Sequence, residues 1–193
     1  SACKTGISWQ YPAVELITGI LFAVCFWRFG VSIELGFALV FTAALVALSG
    51  IDLRTTLLPD QIVLPLLWLG LLASLITLFV DPVSAILGAA VGYLSLWSVT
   101  KLFKLITGKD GMGAGDFKLL AVIGAWCGLK AILPVILLSS FVGAIIGGIW
   151  LATAGKNRDT QIPFGQYLAI AGWIQFIAGV DFLGLYLAWA AGS

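Results

Sequence analysis

Two aspartates stand next to long apolar stretches and could form a catalytic carboxylate pair. Asp52 follows the charge-free run from Leu35 to Ile51, and Asp116 shortly precedes the apolar segment that begins at Leu119. Two carboxyl groups held a few ångströms apart resist double ionisation and share one proton, so one can activate water while the other polarises a carbonyl. The pattern therefore predicts peptide hydrolysis by an aspartate pair, with Asp52 and Asp116 as the catalytic residues.

Each acid also has a structural interpretation. Asp116 stands ahead of an apolar segment, where aspartate is a common helix N-cap, and capping is compatible with catalysis. Asp52 could instead be a solvated acid at the end of its segment, paired with Arg54. The catalytic interpretation requires the two acids to meet at one membrane surface.

Further residues are candidates for supporting the pair or binding substrate. They are Gly113, Gly115, Asp60, Asp110, Lys118 and Glu15. Glycine beside a catalytic acid lets an extended substrate backbone approach closely. The simplest interpretation of Asp60 is the N-cap of the helix from Ile62, and that of Asp110 is a solvated loop acid. We expect Glu15 to form a structural pair with a lysine or arginine, because burying an unpaired ionisable group inside a membrane span is energetically unfavourable.

The composition indicates an integral membrane protein. Of the 193 residues, 61% are hydrophobic and 10% charged, which is too little polar surface for a water-soluble globule. Five charge-free runs are close to the roughly 20 residues that a spanning helix needs. They cover residues 35–51, 62–80, 82–100, 131–155 and 160–180. With two shorter segments, 13–27 and 119–129, the predicted fold is all-α, a polytopic transmembrane bundle of about seven segments. The second short segment is expected either to dip into the membrane without crossing it or to take residues 116–118 as its first turn.

The charges predict the orientation of this bundle. Eight of the ten Lys and Arg residues fall on one side of the seven segments, and only Arg28 and Lys130 fall on the other. The first side is therefore cytoplasmic, and both acids open toward it. We expect one domain, the membrane domain of residues 13–193, preceded by a cytoplasmic leader over residues 1–12.

Composition also excludes several classes of function. The chain has no histidine, which removes Ser-His and Cys-His nucleophilic catalysis and histidine-ligated metals. The net charge of +1, without basic runs, gives no support for a nucleic-acid partner. The lipid bilayer and a membrane-embedded substrate are the partners that this composition favours.

Three blocks of the chain resemble the type IV prepilin peptidases, the bacterial leader peptidases of pilus and type II secretion systems. They are ISWQYPAVELITG from Ile7, IDLRTTLLPDQIVLPLLWLGL from Ile51 and GMGAGDFKLLAVIGAWCG from Gly111. The resemblance implies that Asp52 and Asp116, the latter in a GxGD motif, form the catalytic dyad. It also implies cleavage of a prepilin or pseudopilin at the cytoplasmic face of the inner membrane, after a glycine that ends a basic leader.

The resemblance also has implications for the cofactors of this chain. No cofactor is implied for the peptidase, whereas members of this family often methylate the new amino terminus using S-adenosylmethionine. They also carry an additional first span and a loop with two Cys-x-x-Cys pairs, which suits zinc. Cys3 matches the last of those four cysteines, and one cysteine alone cannot complete a tetrahedral zinc site. Gln166, in IPFGQY, stands where the family more often has proline, and we expect it to contact neither aspartate.

Two other functions stay open: an ion-coupled membrane transporter, and a structural membrane subunit of a secretion system. A transporter is expected to place ionisable groups near the bilayer midplane, often in repeated halves, whereas these acids stand at segment ends. A structural subunit needs no glycine-flanked acid pair. Within a catalytic pair, helix dipoles predict that Asp116, at the start of its segment, is the ionised base and that Asp52, at the end of its segment, is the proton donor.

Overall fold

Apolar sequence in lipid must satisfy its own backbone hydrogen bonds, and helices do so within one segment. The computed structural model describes residues 10–108, 112–154 and 164–179, and it contains seven α-helices there. They are α1 (Gln10–Phe29), α2 (Ile33–Thr55), α3 (Asp60–Leu75), α4 (Pro82–Thr107), α5 (Ala114–Cys127), α6 (Ile132–Ala154) and α7 (Gly165–Ala178). A 3₁₀ turn, Leu129–Ala131, joins α5 to α6. No β-strand occurs in these ranges, so the predicted all-α fold class is confirmed.

Four segments of the described chain are long and apolar enough to cross a membrane. They are α1, α2, α4 and residues Leu129–Ile146. Helix α3 has 16 residues, and α5 and α7 have 14 each, which is shorter than the roughly 20 residues of a typical span. Helix α5 ends at Cys127, and its C-cap is Gly128, whose φ of +81° favours glycine. It begins early enough to include Asp116 and Lys118 in its first turns, which was one of the two alternatives that the sequence left open.

Helix α5 forms the centre of the bundle. Except for Lys118, every residue from Asp116 to Trp126 is buried, and the helix packs against α3, α4 and α7. A helix buried on all sides is normally apolar on all sides, and α5 follows that rule along most of its length. The carboxyl group of Asp116, at the start of this helix, is the exception and needs a function or a partner.

Glycines allow α4 and α5 to cross at close range. Gly88 and Gly92 are four residues apart and therefore lie on one face of α4. A methyl group on Gly88 would lie 2.5 Å from the carbonyl oxygen of Gly124, and one on Gly92 would lie 2.7 Å from that of Leu120. Small residues of this kind let helix backbones approach closely inside a membrane. The crossing fixes the position of α5 and, with it, that of Asp116.

Helix α7 is anchored deep in the bundle by aromatic side chains. The Trp173 Nε1–H donates a hydrogen bond to Thr42 Oγ1 in α2 at 3.0 Å. The Phe176 ring packs against Phe41 and Trp126, with ring centroids 4.8 and 6.1 Å apart. These contacts hold the start of α7 at the end of the bundle where α2 ends and α5 begins.

Two helix boundaries differ from the prediction. Helix α1 begins at Gln10, inside the expected leader of residues 1–12. Helix α4 continues beyond Thr100 to Thr107, so Lys101 and Lys104 lie on its last turns and not in a loop. Lysine is a good helix former, and its long side chain carries the charge away from the apolar part of the helix. The connection to α5 is correspondingly short.

Candidate active site

Asp52 lies in the last turn of α2 with its side chain turned into the bundle, where it is 3% exposed. The helix ends because Thr56 adopts a φ of 53° and donates its N–H to the Asp52 carbonyl oxygen at 2.8 Å. A positive φ is unusual for a β-branched residue. The Thr55 hydroxyl supports the turn by accepting a hydrogen bond from the Leu57 N–H at 3.3 Å. This turn leads directly into α3.

Asp116 is the third residue of α5, in the first turn, and it is 8% exposed. Gly113 is the N-cap, and its carbonyl oxygen accepts the Asp116 backbone N–H at 3.2 Å. The interpretation of Asp116 as the N-cap is therefore wrong. Its carboxyl group is free of a capping role, while it still lies at the positive end of the α5 dipole.

The two acids meet at Gly165, the first residue of α7. A methyl group built on Gly165 would lie 2.9 Å from Asp52 Oδ2 and 3.1 Å from Asp116 Oδ1. Since both oxygens are this close to one point, they lie within roughly 6 Å of each other, where like charges interact strongly. The structure thus brings together the two acids that the sequence singled out.

The start of α7 also bonds to the pair. The Gln166 backbone N–H donates a hydrogen bond to Asp52 Oδ2 at 3.2 Å, so the expectation that Gln166 contacts neither aspartate is wrong. The alternative interpretation of Asp52, as a solvated acid paired with Arg54, is wrong, because Asp52 is buried and the Arg54 guanidinium donates to Gln10 Oε1 at 2.7 Å. Sequence reasoning missed Gly165. Its signal was a glycine after Pro163-Phe164, just ahead of an apolar run.

The two glycines of the GxGD motif have different surroundings. A methyl group on Gly115 would lie 2.8 Å from Leu58 Cβ, so Gly115 is needed for the packing of Leu58 against α5. Leu58 also approaches Gly165, where a methyl group would lie 3.0 Å from its Cδ1. By contrast, Gly113 is exposed and has open space where a side chain would be.

Asp60, the first residue of α3, and Lys118, near the start of α5, form an ion pair in which Lys118 Nζ lies 2.6 Å from Asp60 Oδ1. The pair links the two helix starts next to the dyad. Asp60 is not an N-cap, because α3 begins at Asp60 itself and Pro59 precedes it. Glu15 is exposed, and its predicted pairing with a lysine or arginine is not found among the described residues. Asp110 and Cys3 lie outside the residues that the structure describes.

Two models of known protein families match this chain. A family model described as the type IV leader peptidase family matches residues 39–148, and one described as the bacterial peptidase A24 N-terminal domain matches residues 1–29. The first match covers more than half of the chain. The chain belongs to the type IV leader peptidase family. Both Asp52 and Asp116 lie within the matched range.

Curated relatives of this leader peptidase family are similar over most of the chain. A Xanthomonas campestris protein named prepilin leader peptidase/N-methyltransferase is 59% identical over 184 residues, which cover 95% of this chain and 64% of that protein. Relatives of the same name from Stutzerimonas stutzeri and Pseudomonas aeruginosa are each 52% identical over 190 residues, or 98% of this chain and 66% of theirs. The chain thus spans slightly less than two thirds of these relatives. No solved structure matches it.

The zinc ion implied by the family resemblance does not fit the described residues. In that part of the chain, no three His, Cys, Asp or Glu residues are grouped so that they could hold a metal ion. Cys25 lies in α1, where its sulfur is 3.3 Å from Thr42 Oγ1, and Cys127 ends α5. A structural zinc site requires four ligands, and these two cysteines stand on separate helices.

Proposed function

We propose that this chain carries the aspartic endopeptidase activity of a prepilin leader peptidase. It cleaves the basic leader of a type IV prepilin or type II pseudopilin after a glycine, at the cytoplasmic face of the bacterial inner membrane. The observation that carries this proposal is the approach of Asp52 and Asp116 to one point at Gly165. The names of the similar proteins support the substrate class.

The geometry suits acid-base hydrolysis of a peptide bond. Two nearby acids retain one proton between them, because ionising both would place two negative charges in a poorly solvated site. The ionised carboxylate takes a proton from water as the water oxygen attacks the scissile carbonyl carbon. The protonated carboxyl group donates its proton to the carbonyl oxygen. As the tetrahedral intermediate collapses, the acid that took the proton from water gives it to the leaving nitrogen and the C–N bond breaks. The other acid takes back the proton from the former carbonyl oxygen, so the pair is restored and one water is consumed for each bond cleaved.

The depth of the acids favours a protease over a transporter. Asp52 lies in the last turn of α2 and Asp116 in the first turn of α5, so both acids are at the end of the bundle. A transporter binds its ion near the bilayer midplane. A protease that receives a leader from the cytoplasm needs its acids within reach of water. Gly113, three residues before Asp116, has no atom within 4 Å of the position of a side chain, which leaves room there for an extended segment.

Leader removal is the direct test of the proposed function. The full chain and a candidate prepilin are produced together in cells that lack their own prepilin peptidase, and the prepilin mass is measured. We expect the prepilin to lose the mass of its leader, and to begin at the residue after the leader glycine. A prepilin panel from both pilus and type II secretion systems that remained uncleaved beside a well-inserted chain would contradict the proposal.

Orientation has a separate test, because the described basic residues near the dyad indicate a cytoplasmic site. With its native cysteines replaced by alanine, the chain receives a single cysteine at the exposed Thr55. We expect an impermeant thiol reagent to label it only when the cytoplasmic face is accessible. A single cysteine at Val31, which is 90% exposed between α1 and α2, serves as the matched control for the opposite face. The reverse labelling pattern would overturn the orientation.

A further inference from the structure

The start of α7 contacts only one member of the aspartate pair by a hydrogen bond. The Gln166 N–H donates to Asp52 Oδ2 at 3.2 Å, whereas no described group donates a hydrogen bond to the Asp116 carboxyl oxygens. We propose that in this chain, where position 166 is not the proline more often found in the family, the backbone N–H of Gln166 places the negative charge of the pair on Asp52. Asp52 is then the water-activating base and Asp116 the proton donor, the reverse of the expectation from the dipoles of α2 and α5. This inference rests on the proposed function.

The hydrogen bond acts on charge because of where it lies. Gln166 is the second residue of α7, where a backbone N–H has no carbonyl partner within the helix and is free to bind an anion. A hydrogen bond that is accepted by a carboxylate stabilises the ionised form, and charge-assisted bonds are roughly twice as strong as neutral ones. Asp52 is almost fully buried, so bulk water does not replace this donor.

The dipoles of α2, α5 and α7 have opposing effects on where the negative charge of the pair lies. Asp52 lies at the negative end of α2, which disfavours its charge, but it also lies at the positive end of α7. Asp116 lies at the positive end of α5. The dipole effects on the two acids therefore partly cancel. The backbone interactions from the start of α7 to Asp52 remain as the asymmetric ones: first the hydrogen bond from Gln166, and then a smaller contribution from the Gly165 backbone.

Other charged groups around Asp52 do not supply this asymmetry. They are Arg54 on α2, Glu15 on α1, Asp60 on α3, Lys101 and Lys104 on α4, and Asp116 and Lys118 on α5, while α7 carries no charged side chain in Gly165–Ala178. Arg54 is bonded to Gln10, and Lys118 is bonded to Asp60. Glu15 is exposed. Neither acid of the pair has a described cation as its hydrogen-bond partner, so the backbone donor decides the location of the charge.

Proline at position 166 tests the backbone donor directly. Gln166→Pro removes the N–H, and proline is tolerated in the first turn of a helix because that N–H has no partner there. Gln166→Ala removes the side chain and keeps the N–H, which makes it the matched control. The two variants therefore differ in whether residue 166 has an N–H that can donate to Asp52. The preceding residue, Gly165, has the backbone freedom to accommodate a proline after it.

The readout is the pH dependence of kcat/KM for prepilin cleavage. The acid limb marks the pH at which the ionised carboxylate of the pair takes up a proton and activity is lost. Loss of the N–H makes that proton easier to bind, so the acid limb of Gln166→Pro should move to higher pH by about one unit. The acid limb of Gln166→Ala should stay at the pH of the unaltered chain, whatever its turnover. A merely structural role would lower the rate without moving the limb.

A second replacement guards against misfolding of the proline variant. An ester in place of the amide between residues 165 and 166 removes the same donor and adds no ring, and it should produce the same shift. If the unaltered chain cleaves prepilin and the acid limbs of the proline, ester and alanine variants coincide, the inference is wrong and the proposed function stands. If the unaltered chain cleaves no prepilin at any pH, the proposed function fails, and the inference fails with it.

Discussion

Replacement of either Asp52 or Asp116 by asparagine abolishes prepilin cleavage and leaves the protein folded; this is the largest effect that we expect. Asparagine matches aspartate in size, so the packing at Gly165 is preserved while one carboxyl group is lost. The remaining acid cannot serve at once as base and proton donor, and we expect kcat to fall roughly 1,000-fold or more. Purified variants are compared with the unaltered chain on one prepilin, by the rate at which the leader is released.

Asp60→Asn is the matched control for these two changes. Asp60 is also an aspartate near the end of the bundle, but its side chain is 53% exposed and pairs with Lys118. Exposed ion pairs contribute little to stability, about 0 to 1 kcal/mol, so its variant should retain most of its activity. Helical circular dichroism and thermal unfolding check that all three variants are folded. Near-normal cleavage by Asp52→Asn or Asp116→Asn, with loss of cleavage by Asp60→Asn, would contradict the assignment of the pair.

Much of the fold follows from the lengths of the apolar runs. In lipid, an apolar segment has almost no alternative to a helix, so each predicted segment corresponds to a helix of the bundle within the described ranges. Counting those segments was enough to predict that Asp52 and Asp116 face the same side. It could not predict that α4 continues to Thr107, because a helix that leaves the bilayer no longer needs apolar residues.

The contribution of α7 to the site could not be predicted from the same pattern. Gln166 is 114 residues from Asp52, and no local property of the sequence indicates that the start of one helix reaches the end of another. The contact depends on how α7 is anchored by Trp173 and Phe176, which are tertiary interactions. The dipole argument considered only α2 and α5, and it therefore assigned the charge without the donor on α7.

The helix that packs against the glycines of α4 could not be predicted from the sequence either. Gly88 and Gly92 have a spacing that favours close helix packing, but glycine spacing does not identify the partner helix. The structure identifies it as α5, through Gly124 and Leu120. Because α5 carries Asp116, the close packing of α4 against α5 also positions a candidate catalytic residue.

Gly165→Ala should reduce kcat/KM about 100-fold, because a displacement of roughly 1 Å at reacting groups can have an effect of that size. Its methyl group would lie 2.9 Å from Asp52 Oδ2 and 3.1 Å from Asp116 Oδ1, so the carboxyl groups must move apart. The methyl group also occupies space that a water molecule needs between them. Gly165→Val, with a larger side chain at the same point, should abolish cleavage. Leader release by the purified variants is the measurement.

The loss of activity from Gly165→Ala should exceed any loss of stability. Gly165 is not among the glycines with positive φ, so alanine can adopt its backbone conformation, and the atoms it meets are the ends of side chains that can rotate. Gly36→Ala is the control, because Gly36 lies in α2 and has no atom within 4 Å of the new methyl group. If Gly165→Ala cleaved prepilin as fast as Gly36→Ala, the space between the two carboxyl groups would not be the place where the substrate is hydrolysed, although the acids would still meet there.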